Sequence, residues 1–240
     1  MADIYLIRHG QASFGKADYD ELSEQGKKQS YQLGLQIQLQ LGDKLKQRNV
    51  RLVHGTLQRH RQTMDQWLSG FRLDPSVGEF ETTEDSAFNE FDHEDMLAVA
   101  FPEYADKSVL AQHLMKADNP RKAFHRLYEK AVQRWIAGSH DDEYGESFLA
   151  FKQRCAAGFK ALVEGSQSGE SIFVFTSGGP IGMCVQWALG LTDQNTFKIN
   201  GALVNSSVTH FLTNSAGDCT LGYLNNYSHL FNEGVEVTYR

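Results

Sequence analysis

The chain has 240 residues, of which 41% are hydrophobic and 22% charged, and its formal net charge is -7. This length suits one large globular domain or two small ones, and a mildly acidic chain is not expected to bind nucleic acid. No apolar run approaches the roughly 20 residues that span a bilayer, and the first residues lack the pattern of a signal peptide. The three cysteines have no disulfide or metal-binding spacing. We therefore expect a cytoplasmic protein without a membrane partner.

The first third of the chain predicts two strands, each followed by a helix. Ile4–Ile7 is an apolar run that suits a buried parallel strand. From Glu21 to about Lys46 the composition favours helix. Five apolar residues alternate there with mostly polar ones, as in a strand: Leu33, Leu35, Ile37, Leu39 and Leu41. We prefer helix because only one of the five is β-branched. Val50–Val53 predicts the second strand, and a helix with Met64 and Trp67 on its buried face follows.

The middle of the chain predicts helices, and its end predicts three more strands. The segment from Glu79 to Glu90 is acidic and has no clear local pattern, whereas about 94–138 is mainly helical. A helix at Ser147–Val163 and a third buried strand at Ile172–Phe175 come next. The following helix is expected to run from near Pro180 to near Gly190. Two closing strands are predicted at Val208–Leu212 and Thr220–Leu224.

Strands that alternate with helices indicate an α/β fold with a sheet covered on both faces. We see no repeat and no linker. The sequence therefore predicts one domain over 1–240, with a helical, lid-like insertion at about 94–142.

Three predicted strands end in residues that carry chemistry. Arg8 and His9 follow the first strand, Arg59 comes soon after the second, and Ser177 follows the third. Parallel folds place their sites at such strand ends. Arginine side chains match phosphate oxygens, and a neutral histidine has a lone pair that can attack. Each residue alone is weak evidence. Ser177 by itself suits a nucleophile, an anion contact or, most simply, a helix cap.

Together these segments resemble, in chain order, the histidine phosphatase (phosphoglycerate mutase-like) superfamily. The resemblance rests on Leu6-Ile7-Arg8-His9-Gly10-Gln11-Ala12, Leu22-Ser23-Glu24-Gln25-Gly26, Leu57-Gln58-Arg59 with Gln62-Thr63, Asn89-Glu90, Gly145-Glu146-Ser147 with Arg154, and Asn225 with His229-Leu230. It implies a three-layer phosphoglycerate mutase-like fold, with a mostly parallel central sheet, helices on both faces and a helical insertion. His60 stands where this family usually has alanine.

The resemblance also implies a role for each matched residue. His9 would become phosphohistidine, and Arg8 and Arg59 would bind the non-bridging phosphoryl oxygens. Glu90 would protonate the leaving oxygen and then help to activate water. Four further residues are expected to contact the substrate: Gly10, Gln11, Ser177 and Gly178. No metal or other cofactor is expected, because the guanidinium groups supply the positive charge.

The substrate is expected to be a phosphorylated small molecule or protein, and a homodimer is compatible with the sequence. A mutase must hold a bisphosphate with extra basic residues. The stretch from Glu79 to Asp106 contains no Lys or Arg and many acids. This composition favours a phosphatase over a mutase.

Ser177 departs from the family, which has a second histidine at this position. Serine is short and neutral, so reduced activity is expected. Three interpretations remain open: a working phosphatase, a weak or inactive relative that binds a phosphorylated ligand or partner, and an enzyme in which Ser177 is the nucleophile. We favour the first over the second because His9, both arginines and Glu90 are all present. The third ranks last, because a nucleophile elbow has glycine two residues before its serine, where this chain has Phe175. Four histidines without an assigned role are candidate replacements: His54, His60, His93 and His210.

Overall fold

A computed structural model describes residues 1–13, 20–72, 80–214, 216–232 and 234–239. Within these ranges the strands are β1 Ala2–Arg8, β2 Asn49–His54, β3 Glu81–Glu84, β4 Glu170–Thr176, β5 Val208–Thr213 and β6 Cys219–Asn226. The α-helices are α1 Glu24–Leu45, α2 Gln58–Phe71, α3 His93–Ala100, α4 Lys107–Met115, α5 Pro120–Ala137, α6 Phe148–Gly165, α7 Gly178–Leu189, α8 Asp193–Ala202 and α9 His229–Asn232. None of these helices is both long and apolar enough to cross a membrane.

The strands form one six-stranded sheet in the order β3-β2-β4-β1-β5-β6. β1, β2, β3 and β4 are parallel to one another, and β5 and β6 run antiparallel to their neighbours. The α/β class and the mostly parallel sheet are therefore confirmed. The central strands β1 and β4 are buried along their whole length, as expected of parallel strands covered on both faces.

Alternate residues of β1 pack into two different apolar clusters, one on each face of the sheet. Ile4 and Leu6 contribute to the cluster that includes α7 residues. Tyr5 and Ile7 contribute to the cluster that includes α1 and α2 residues. Because successive side chains of a strand point to opposite faces, this division shows helices covering both sides of the sheet.

The chain divides into two compact units, Met1–Glu90 with Cys155–Arg240, and Phe91–Arg154. The first contains the sheet and the residues at its strand ends. The second contains the segment predicted as a helical insertion, and it has an aromatic cluster of its own. In that cluster Trp135 contacts Phe91, Phe148 and Phe151. The predicted organisation as a single domain, with the insertion acting as a lid, stays a prediction.

Some element boundaries differ from the sequence-based prediction. Helix α7 begins at Gly178, two residues earlier than expected, so Pro180 is the third helical residue. Strand β3 pairs with β2 although its four residues are all exposed and polar, and thus have no apolar pattern. Helices α8 and α9 were also not predicted.

Candidate active site

His9 follows the last residue of β1 and is fixed through its backbone. Its N–H donates to the Thr176 carbonyl at the end of the neighbouring strand β4, at 2.8 Å. Its carbonyl accepts from the Ser206 N–H and from Asn205 Nδ2, both at 3.2 Å. The side chain is 8% exposed. The histidine is therefore held from two sides at the carboxyl edge of the sheet.

The His9 ring is poised as a neutral base. Nδ1 lies 2.7 Å from the Gly10 carbonyl and donates its proton there, so that Nε2 carries the lone pair. Burial lowers the pKa of His9 well below its ordinary value of 6.5, and the nearby charges of Arg59 and Arg8 lower it further. The ring therefore stays uncharged at neutral pH.

The two predicted arginines are both buried beside His9. Arg8 is 7% exposed and its Nη1 donates to the Leu203 carbonyl. Arg59 is 8% exposed and forms an ion pair with Asp20, at 2.6 Å between Nη1 and Oδ1. Asp20 Oδ2 also accepts the backbone N–H of Gln58 at 2.8 Å, and thus caps the start of α2. Both guanidinium groups therefore have fixed anchors.

The first turns of α2 connect the arginine to the two loops beside it. Thr63 Oγ1 accepts the Gly10 N–H at 3.1 Å and donates to the Arg59 carbonyl at 2.7 Å. Gln62 Oε1 accepts the Leu22 N–H at 2.8 Å. These bonds explain why an arginine, a glutamine and a threonine occur together at this spacing.

Ser177 lies at the N-terminus of α7 but does not cap it with its side chain. Instead Ser177 Oγ lies 2.7 Å from His60 Nε2, and both residues are fully buried. The rings of His60 and His9 have centroids 5.9 Å apart. Burial lowers the pKa of His60 well below 6.5, with contributions from Arg59 and His54. The interpretation of Ser177 as a plain helix cap is therefore wrong.

Glu90 lies before α3 in the chain and contacts the first turn of α7, the helix that follows Ser177. Its Oε2 accepts the Gly179 N–H at 3.1 Å. At the adjacent position, a Cβ atom on Gly178 would lie 2.3 Å from Asn200 Oδ1 and 3.7 Å from Arg8 Nε. Gly178 therefore allows α8 to approach the arginine, and Glu90 reaches the same helix terminus.

Gly10 and Gln11 are packed against the start of α1. A Cβ atom at position 10 would lie 2.3 Å from the Gly26 carbonyl oxygen. Gln11 Oε1 accepts from the Ser23 hydroxyl at 2.8 Å, and its N–H donates to Gln29 Oε1 at 2.9 Å. Their contacts here explain the local structure, and their predicted contacts with substrate stay predictions.

The remaining candidate histidines have other surroundings. His54 Nδ1 lies 2.8 Å from the Gly55 carbonyl. His210 Nε2 lies 2.8 Å from Asp3 Oδ1, near the opposite end of β1 from Arg8. His93 belongs to the second compact unit, where the neighbouring Asp92 caps α3. Of the four histidines, only His60 is bonded to Ser177.

A loop before β5 supports the site and was not predicted from the sequence. Besides the bonds to His9, its Ser207 carbonyl accepts the Arg8 N–H at 3.0 Å. Asn225 Oδ1 accepts the Val204 N–H at 2.8 Å, and His229 Nε2 lies 2.8 Å from Ser206 Oγ. The C-terminal residues matched in the sequence thus hold this loop. Over the ranges given above, the structure has no group of three or more His, Cys, Asp or Glu suited to a metal ion.

Comparisons with known proteins agree with this architecture. The model of the histidine phosphatase superfamily (branch 1) matches residues 113–226, a little under half of the chain. The matched segment contains Ser177 but not His9 or Arg59. A search among curated proteins found no match.

Solved structures match over nearly the whole chain. A phosphoserine phosphatase from Entamoeba histolytica, in complex with 3-phosphoglyceric acid, has a TM-score of 0.60 at 17% identity, over 96% of this chain and 100% of its own. A phosphoglycerate mutase from Bacillus anthracis has a TM-score of 0.61 at 14% identity, over 96% and 95%. A mycobacterial glucosyl-3-phosphoglycerate phosphatase has 0.54 at 16%, over 93% and 98%. At these identities the likeness is one of fold.

These findings confirm the resemblance to the histidine phosphatase superfamily and the phosphoglycerate mutase-like fold. The roles of individual residues stay predictions.

Proposed function

We propose that this chain, with its phosphoglycerate mutase-like fold, is a phosphatase that hydrolyses a phosphomonoester through a phosphohistidine at His9. The observation that carries the proposal is the buried, neutral His9 ring between two anchored guanidinium groups. Its Nδ1–H donates a hydrogen bond to the Gly10 carbonyl, which leaves the lone pair of Nε2 to attack.

In the first step, Nε2 of His9 attacks phosphorus while the bond from phosphorus to the ester oxygen breaks. Arg8 and Arg59 bind the non-bridging oxygens and stabilise the charge that spreads over them in the transition state. Glu90 gives a proton to the departing oxygen. The products are a free alcohol and phosphohistidine.

In the second step, water attacks the same phosphorus and the phosphorus–nitrogen bond breaks. Glu90, now a carboxylate, accepts the water proton, and the electron pair returns to Nε2. Inorganic phosphate then leaves. In this mechanism the guanidinium groups supply the positive charge that a metal ion supplies in other phosphatases.

The test is turnover of para-nitrophenyl phosphate by the wild type and by His9→Ala. We expect His9→Ala to abolish turnover, and rapid quenching of the wild type to trap an acid-labile phosphate on His9, detected by mass spectrometry. Arg61→Gln, which changes an exposed arginine of α2, should remain active. Activity should also persist with a chelator present. Turnover that survives His9→Ala would reject the mechanism.

A second candidate function is binding of a phosphorylated ligand or partner without turnover. It is favoured by one observation, the neutral Ser177 at a position where the family has histidine. Tight binding of inorganic phosphate or vanadate by a wild type that does not turn over the aryl phosphate would establish this alternative.

The substrate class is left open between phosphorylated small molecules and phosphoproteins. The acidic stretch from Glu79 to Asp106 has no Lys or Arg to hold a second phosphate, which favours a phosphatase over a mutase. A first substrate panel should contain phosphoserine, 3-phosphoglycerate and glucosyl-3-phosphoglycerate, because the structural neighbours are named for these compounds or bind them. The cytoplasmic location and the homodimer likewise stay proposals.

A further inference from the structure

Two unusual residues, far apart in the sequence, meet in one buried hydrogen bond beside His9. His60 Nε2 and Ser177 Oγ are 2.7 Å apart, and 117 positions separate the two residues in the chain. We infer that they form one phosphate-binding unit, in which Ser177 donates its hydroxyl proton to the phosphoryl group and His60 holds that hydroxyl in the donating orientation. This inference rests on the proposed phosphatase site.

The position of the pair places it within reach of the group that His9 attacks. Ser177 follows β4, and His9 follows the adjacent parallel strand β1. The two strand ends are joined by the hydrogen bond from the His9 N–H to the carbonyl of Thr176, the residue before Ser177. The His60 ring is also near His9, and the centroids of the two rings are 5.9 Å apart. Arg59 precedes His60 in the same helical turn. Both residues of the pair are therefore close to His9, and His60 is next to Arg59 in the chain.

In the part of the chain that the structure describes, the Ser177 hydroxyl bonds to His60 Nε2, so the direction of its proton depends on which of the two atoms donates. As the first residue before α7 it would ordinarily cap the helix, but its side chain makes no capping bond. A hydroxyl has one proton to donate and lone pairs to accept with. If His60 carries its proton on Nε2, it donates to Ser177 Oγ, and the hydroxyl proton is then directed to another acceptor. A phosphoryl oxygen is such an acceptor.

The surroundings of His60 make this arrangement responsive to an anion. The His60 ring is fully buried, and its contact with the Gly55 backbone favours a proton on the ring. Burial and the charge of Arg59 both lower the pKa of His60, so the ring is neutral near pH 7. A bound phosphoryl dianion acts in the opposite direction and favours a charged ring. Low exposure strengthens both interactions.

The first experiment measures kcat and KM for para-nitrophenyl phosphate in Ser177→Ala, His60→Leu and the double variant. We expect each single variant to lose about 10- to 100-fold in kcat, the loss expected for one hydrogen bond to a charged group. We expect the double variant to lose no more than the worse single one, because both changes remove the same interaction. His60→Gln keeps a donor at the position of Nε2 and should retain most of the activity.

A transposed variant tests the same idea from the other direction. His60→Ala combined with Ser177→His moves the imidazole to the strand end, and we expect it to recover activity relative to His60→Ala alone. His54→Gln is the matched control, because it changes a buried histidine bonded to the Gly55 carbonyl rather than to Ser177. Its loss should be well below that of His60→Leu. Thermal unfolding shows which variants fold, and His60→Gln and Ser177→Ala carry the test if His60→Leu does not.

The outcomes separate this inference from the proposed function. If the wild type turns over substrate and His9→Ala does not, but His60→Leu is as active as wild type or the two changes multiply, the pair is rejected and the phosphatase stands. If the wild type binds inorganic phosphate without turnover, the phosphatase is rejected. In that case calorimetry measures the affinity of Ser177→Ala, His60→Leu and the double variant for inorganic phosphate. The pair is supported if the double variant loses no more affinity than the worse single variant. Absence of both turnover and binding rejects both ideas.

The proton assignment has its own readout. Nitrogen-15 spectra of the His60 ring with vanadate bound should show a proton on Nε2. A bare Nε2 that accepts from Ser177, together with a phosphorylated Ser177 in quenched reactions, would instead make serine the nucleophile and overturn the inference.

Discussion

His9, the proposed nucleophile, is kept neutral by burial and by the same arginine charges that would attract its substrate. Burial is the main cause of its lowered pKa, and Arg59 and Arg8 follow. A proton on Nε2 would add a third positive charge to a buried site, which costs free energy. A phosphoryl dianion is instead attracted by the two positive charges already present. One arrangement of charges thus discourages protonation of the ring and favours binding of the anion.

We expect His9 to titrate below pH 6.5 and Arg59→Gln to raise its pKa, because Arg59 repels a proton on the ring more strongly than Arg8 does. The measurement is an NMR titration of the His9 ring. Arg61→Gln is the matched control, since Arg61 lies two residues further along α2 but is exposed. Equal shifts in the two variants, or a wild-type pKa at or above 6.5, would contradict the electrostatic account.

Which side chains meet at the site was only partly predictable. Arg8, His9 and Ser177 follow parallel strands, so their convergence at one edge of the sheet follows from the fold. The bond between His60 and Ser177 does not, because it depends on how the first turn of α2 is set against the end of β4. The sequence offered four unassigned histidines and no means of choosing among them. The supporting loop around Asn205 has no periodic pattern at all.

At the scale of elements, α1 shows why an alternating pattern was misleading. Leu33 and Ile37 are four residues apart and buried, whereas Leu39 is 82% exposed. The segment is helical from Glu24, with the Ser23 hydroxyl accepting the Gly26 N–H at its start. Composition and the scarcity of β-branched residues therefore predicted this element correctly. The exposed, polar strand β3 could not be predicted, because only its pairing with β2 defines it.

Helices α1 and α2 pack at two glycines, and this contact fixes the helix that carries Arg59 and His60. A Cβ atom on Gly34 would lie 2.1 Å from the Trp67 carbonyl oxygen. A Cβ atom on Gly70 would lie 2.2 Å from the Tyr31 carbonyl oxygen. Both obstacles are backbone atoms, which cannot turn aside. The close approach of the two backbones therefore requires glycine at both positions.

We expect Gly34→Ala and Gly70→Ala each to lower the free energy of unfolding by about 1–3 kcal/mol, as overpacking does in tight cores. Gly42→Ala is the control in the same helix. Its Cβ would meet only the side chain of Gln38, with the nearest atom at 2.8 Å, and that side chain can move. Since alanine is the better helix former, Gly42→Ala should be neutral or stabilising by up to ~1 kcal/mol. Urea unfolding measures all three, and equal losses would refute the packing argument.

At the scale of the whole molecule, the last part of the chain completes a site that the first part begins. The loop before β5 bonds to Arg8 and His9, and it is held in turn by Asn225 and His229. Ser206, which joins the two sets of bonds, has a positive φ of 58°. We thus expect truncation of the C-terminal segment to loosen this loop and thereby to change the position of His9.

This coupling also makes stability depend on pH through a buried histidine. Burial lowers the pKa of His229 from 6.5 to about 4. Between pH 6.5 and pH 4, His229 therefore binds a proton in the unfolded chain but not in the folded chain. This linkage costs about 3 kcal/mol of stability as pH falls from 6.5 to 4.

His229→Gln removes this proton linkage while keeping a polar side chain near Ser206. We expect the free energy of unfolding, measured in urea from pH 7 to pH 4, to fall less steeply than in the wild type, by about one proton or ~1.4 kcal/mol per pH unit. His125→Gln changes a histidine whose side chain is 71% exposed and should keep the wild-type slope. His9 and His60 remain in both variants and contribute equally, so the difference isolates His229. An unchanged slope in His229→Gln would mean that the pKa of this histidine is not lowered in the folded protein, and would contradict the proton linkage.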